Sequence, residues 1–247
     1  MTRAARFWIV AAFLCGPAGP RAALAETLGA PAAEPPDSLG AHEAPLAWSA
    51  TYASRYRFQG LDYSQGRPVL QPQVSGRLRG ITLALWGNLD QDRRELNEVD
   101  ASLQGDRDFG SLSGALGYTY LRYPHRDWEP THEVFADLAL AGPLQPALSV
   151  HWDVAAGRGR YWTLGLSHDI PCRGAAVGLA AKLYAHEHYY GMTGIPALET
   201  SVSVMASWAG ILFQPSLARL SAWENGHFRD DQAVSAGWVL SFTCSSP

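Results

Sequence analysis

From Trp48 to Gln59, apolar or small residues alternate with polar or small ones. Trp48, Ala50, Tyr52, Ser54, Tyr56 and Phe58 fall on one side, and Ser49, Thr51, Ala53, Arg55, Arg57 and Gln59 on the other. Successive side chains of a strand point to opposite faces, so this rhythm predicts a strand over 46–59 with one greasy and one wet surface. The same period of two predicts further strands over 69–78, 81–88, 97–105, 109–123, 132–141, 146–155, 160–169, 174–186, 198–208, 211–222 and 231–243. About twelve strands (ten is the lower count) of about ten residues suit a bilayer crossed at a tilt of roughly 40°.

The connections alternate as well. Those over 60–68, 89–96, 124–131, 156–159, 187–197 and 223–230 are longer than turns such as Arg79-Gly80 and Ala209-Gly210. Long loops on one side of a membrane and short turns on the other are the outer-membrane arrangement. The expected architecture is all-β: a single up-and-down antiparallel transmembrane β-barrel over 46–247, with the short turns in the periplasm. A water-soluble β-sandwich shares the alternation and remains the competing fold.

Composition sharpens this picture. Of 247 residues, 17% are charged, below the roughly 25% of a soluble domain, and Lys182 is the sole lysine. The net charge of −4 carries no basic footprint for nucleic acid. Arg3 and Arg6 precede a short apolar run over 7–16, and Ala23-Leu24-Ala25 offers a small-x-small cleavage site. Residues 1–25 therefore read as a cleaved signal peptide. Pro31, Pro35, Pro36 and Pro45 mark 26–45 as a flexible periplasmic tail. Cleavage would remove Cys15 and leave Cys172 and Cys244, both expected at the periplasmic rim. These permit one disulfide or two thiols.

Particular strings carry a family resemblance. Ser54-Arg55-Tyr56-Arg57-Phe58-Gln59-Gly60 is followed by Ser64 and Pro68, Trp86-Gly87-Asn88 and Glu98-Val99-Asp100. Residues 117–124, Gly-Tyr-Thr-Tyr-Leu-Arg-Tyr-Pro, and His132-Glu133-Val134 come next, in the same order. These pieces resemble the TorF (Gcw_chp) family of bacterial outer-membrane β-barrel proteins, whose usual Phe-Arg-Gly is here Phe58-Gln59-Gly60. The resemblance implies a porin-like barrel in a Gram-negative outer membrane, and brings no substrate or catalytic residue.

The candidate chemistry lies on the predicted inward faces. Arg55 and Arg57 on the first strand and Arg77 on the second form a basic wall. Glu98 and Asp100, Glu133 and Asp137, and Asp153 form an acidic one. Such walls would set a transverse field across a water path and favour small polar or zwitterionic solutes. The competing expectation is that the charges pair and plug a closed, structural or surface-binding barrel. His186 and His188 share a strand face but lack a nearby third ligand, so no metal or other cofactor is implied. A lipid acyl-modifying enzyme would need a Ser beside a His. In Ser167-His168-Asp169 the neighbours point to opposite faces. The expected partners are outer-membrane lipid, the barrel-assembly machinery and small polar solutes. The sequence does not fix an oligomeric state.

Overall fold

The computed structural model describes residues 46–209, 211–222 and 234–245. The expected signal peptide, the tail, the 223–230 loop and the first residues of the last expected strand lie outside them. The described chain is all-β. Strands β1 (Ala47–Ala53) and β4 (Val69–Leu78) flank a two-stranded insertion, β2 (Arg57–Phe58) and β3 (Leu61–Asp62). Then follow β5 (Ile81–Asp90), β6 (Glu95–Phe109), β7 (Leu112–Arg122), β8 (Thr131–Leu140) and β9 (Ala147–Asp153). The chain finishes with β10 (Gly159–Cys172), β11 (Ala175–Tyr189), β12 (Met192–Trp208), β13 (Ile211–Ala222) and β14 (Val234–Ser245). Apart from β2 and β3, these close into an antiparallel barrel of twelve strands in sequence order. Closure comes from β1, which pairs with β14 on one side and β4 on the other.

The period-two pattern sorts residues as strand geometry requires. On β4, Gln73 and Ser75 are buried inside while Val74 and Leu78 are exposed outside. On β8, Thr131, Glu133 and Phe135 are inside and Val134 and Leu138 outside. An exterior rich in exposed Leu, Val, Ile and Trp, over an interior of Ser, Gln, Glu and Asp, inverts the usual soluble arrangement and matches a barrel standing in hydrocarbon.

Three boundaries differ from the sequence expectation. The first strand stops at Ala53, and 54–68 leave the wall. The charged stretch Asp106-Arg107-Asp108, which falls between the strands expected over 97–105 and 109–123, stays paired in β6 opposite Ala115, Gly114 and Ser113, and the chain reverses at Gly110, whose φ is +74°. The expected 187–197 loop is mostly strand. Tyr190 and Gly191, at φ +46° and +78°, make a two-residue hairpin turn that joins β11 directly to β12.

The thiol pairing left open by the sequence is absent: Cys172 and Cys244 form no disulfide. Strands β11, β12 and β13 stand between β10 and β14. Four strand spacings are roughly 19 Å along the wall, and a disulfide needs Cα atoms within about 7 Å.

Candidate functional site: a bore crossed by residues 54–68

Residues 54–68 fold inward as a strap, which corrects the placement of Arg55 and Arg57 on the first strand. The strap holds its own shape. Tyr63 N donates to Tyr56 O at 2.8 Å, and Tyr56 N donates to Ser64 Oγ at 2.8 Å. Asp62 is its hub, accepting from Ser64 N, Ser64 Oγ and Gly66 N, each at 3.1 Å, and pairing with Arg55 Nη1 at 3.0 Å. The β2–β3 turn places Gln59 at φ +53° and Gly60 at φ +79°.

From its roots at β1 and β4 the strap reaches the far wall. The Phe58 ring packs edge-on to Tyr161 of β10 at 5.7 Å. Gln59 Nε2 donates to Tyr189 Oη of β11 at 3.4 Å. Gly60 abuts Ala197 of β12. Arg57 Nη1 donates to the Ala218 carbonyl of β13 at 3.3 Å and stands 3.8 Å from Glu199 Oε2 of β12. Behind the tip, Tyr56 packs on Trp86 of β5, and Tyr63 on Trp128. Burial, with the Glu98 charge in support, pushes the Tyr56 and Tyr63 phenols well above their ordinary range, so both remain neutral.

The strap divides the bore into unlike halves. On the β7–β10 side, Phe135, His151 and Tyr161 stack in a column, with successive ring centroids 5.1 and 4.5 Å apart. Gly117 makes room for it: a Cβ there would meet the Phe135 ring at 2.1 Å. Glu133 sits in this half as a shared acceptor. Tyr189 Oη donates to it at 3.0 Å, Tyr161 Oη at 3.3 Å, and His151 Nδ1 lies 3.3 Å away. Asp137 accepts from Ser149 Oγ at 2.5 Å, and Asp153 from Thr131 Oγ1 at 2.7 Å.

On the β11–β14, β1 and β4 side the inward residues are short: Gly178, Ala180, Ser201, Ser203, Ser216 and Ser241 among them. They leave a cavity of about 290 Å³. Arg55, Arg57 and Asp100 of the predicted set border it, while Glu98, Glu133, Asp137, Asp153 and Arg77 lie outside its lining. Arg77 is at the end of the barrel that carries the Arg79-Gly80 turn, gripping Asp106 through two hydrogen bonds. A buried Asp100 oxygen has no hydrogen-bond partner. The expected basic wall is thus a basic strap lying across the bore.

Sequence reasoning missed Lys182, Glu199 and Asp169, which also line the cavity, and Tyr161 and Tyr189, which fix the strap. Lys182 and Glu199 had a detectable signal, since Lys182 lies between Ala181 and Leu183, and Glu199 follows Leu198, on predicted strands. Their partnership required the β11–β12 register, which sets them opposite one another.

The other candidate clusters come apart. His186 is buried inside, whereas His188, at φ +54°, is turned out beyond a register shift. Among the described residues no group of three or more His, Cys, Asp or Glu is placed to hold a metal ion. Ser167 Oγ faces inward and bonds Gln145 Oε1 at 3.1 Å, while His168 is outside against the Pro143 carbonyl, so they form no nucleophile–base pair.

No family model and no curated protein matches the sequence, so the TorF resemblance rests on the quoted motifs. The fold is similar to that of a solved KdgM porin (TM-score 0.55, 10% identity, covering 81% of this chain and 98% of the other). It is also similar to a NanC porin (TM-score 0.53, 10% identity, 82% and 99%). LpxR from Salmonella typhimurium is a third structure of this form (TM-score 0.51, 11% identity, 80% and 99%). At these identities the likeness is one of fold.

Proposed function

We infer that this chain is an outer-membrane porin through which small polar solutes pass passively. The observation that carries the reading is the polar cavity beside the strap, inside a barrel whose outer face is apolar. A wall of that kind has its use in lipid, and a hydrophilic interior is of value there when something hydrophilic traverses it. Two porins of similar fold, KdgM and NanC, support the reading. It implies outer-membrane lipid around the barrel and the barrel-assembly machinery during insertion.

One observation favours a second reading, a closed structural or surface-binding barrel: the strap meets the far wall at Tyr161, Tyr189, Ala197 and Ala218. Planar-bilayer recording separates the two. Folded, purified protein is expected to give discrete conductance steps; their absence from preparations with heat-shifted, native electrophoretic mobility would favour the closed barrel.

A further inference from the structure

We propose that the outer face of β7 and β8 holds the phosphate monoester of a membrane glycolipid, between Arg122 and His132. The proposal rests on the outer-membrane reading, not on conduction, and adds a lipid partner and its place. Charge is sorted across this part of the wall. The carboxylates of β7–β10 face inward: Glu133 and Asp153 are buried, Asp137 bonds the buried Ser149, and Asp169 lines the cavity. Arg122, His132, Arg160 and His168 face outward, since they alternate with the buried Leu121, Glu133, Tyr161 and Ser167. Two of these four are engaged. Arg160 holds both oxygens of Glu187, at 2.5 and 2.7 Å, and His168 bonds the Pro143 carbonyl. Arg122 has no hydrogen bond or ion pair among the described residues, the loop carboxylates Asp127 and Glu129 included.

Geometry decides what fits there. Tyr120 and His132 are direct cross-strand partners, and Arg122 stands two residues farther along β7. Arg122 and His132 are therefore diagonal neighbours, roughly 7–8 Å apart and within reach of a shared ligand. The His132 ring is fixed. Its centroid is 5.9 Å from that of Tyr118 and 5.1 Å from that of Tyr120, and the Tyr118 hydroxyl donates to Nδ1. That bond leaves the ring proton on Nε2, which has no partner among the described residues. A phosphate monoester carries about −1.5 to −2 of charge and three strong acceptor oxygens. The Arg122 fork takes two of them and His132 Nε2–H the third. Below these groups Leu116, Val134, Leu138 and Trp152 are exposed on the same face, where acyl chains lie. Tyrosine rings sit at headgroup level, so Tyr118 and Tyr120 flank the sugar that carries the phosphate. Arg122 ends β7 at the end opposite the Arg79-Gly80 turn, which is the outer end if short turns face the periplasm.

Native mass spectrometry of the protein folded in detergent tests the proposal, with three probes: diphosphoryl lipid A, the same lipid stripped of its phosphates, and phosphatidic acid. Lipid A is expected to bind about tenfold more tightly than its phosphate-free form, the scale of one hydrogen bond to a charged group. Phosphatidic acid, a monoester without a sugar, is expected to bind less tightly than lipid A. Arg122→Gln and His132→Gln should each remove most of the preference for phosphate, and either suffices if the other fails to fold. Arg219→Gln is the control. It removes an exposed arginine of β13, between the cavity-lining Ala218 and the buried Leu220, and should change nothing. Equal binding of lipid A and either other probe, a preference that survives both substitutions, or an equal loss in Arg219→Gln would overturn the proposal and leave the membrane reading intact. Failure of the unaltered protein to insert into phosphatidylcholine vesicles would overturn both.

Discussion

A Cβ placed on Gly60 would lie 2.8 Å from the Cβ of Ala197, closer than real Cβ contacts come. Gly60 also has φ +79°, a conformation that a branched residue adopts only under strain. Gly60→Val is therefore expected to lift the strap tip from the β12 wall while leaving the barrel closed, since none of the ladders runs through residue 60. In planar bilayers its unit conductance should exceed that of the unaltered protein. Identical conductance would show that the strap does not limit the path.

Glu133 is the common acceptor of Tyr161, Tyr189 and the His151 ring. Glu133→Ala leaves these buried donors without it. An orphaned buried polar group costs about 1–3 kcal/mol, so the variant should lose stability on the order of 3 kcal/mol. Urea unfolding in phospholipid vesicles, followed by tryptophan fluorescence, reads this as a lowered midpoint. An unchanged midpoint would mean that the network is not a source of stability.

The two faces of the barrel wall offer a direct contrast. Leu116 of β7 is 69% exposed on the outside, and Ser203 of β12 lies on the cavity wall. Leu116→Arg should cost about 2–4 kcal/mol if its surroundings are hydrocarbon, and should reduce folding into vesicles sharply. Ser203→Arg adds the same charge on the inner face and should fold at near-normal yield. Equal yields would remove the case for lipid outside.

Cys172 and Cys244 belong to strands separated by three others, and both are thiols. Denatured, unreduced protein should take up a maleimide at both positions, with no mass deficit for a bridge. A loss of two hydrogens in the intact mass would contradict the strand order.

The rhythm of the sequence carried the barrel because each wall strand is constrained by two solvents. Gln73 against Val74 on β4, and Glu133 against Val134 on β8, leave one orientation open. The strap escaped detection for the same physical reason. Tyr56 and Phe58 continue the alternation of β1, and period alone cannot say whether a ring meets lipid or another ring. Here Tyr56 meets Trp86 and Phe58 meets Tyr161. Nor do local signals separate a turn from a strand that has run past the membrane into water, which is how Asp106, Arg107 and Asp108 were misplaced. The site was harder still. Glu199 and Lys182 are 17 positions apart in the chain, and Arg57 joins them only after closure.

The strap is rooted early in the chain, between β1 and β4, yet everything it moors to across the bore (Tyr161, Tyr189, Ala197, Ala218) belongs to β10 through β13. Roots and berths face one another only where the sheet has curled round to meet its first strand. Docking therefore depends on closure, as a latch falls only when the wall is whole.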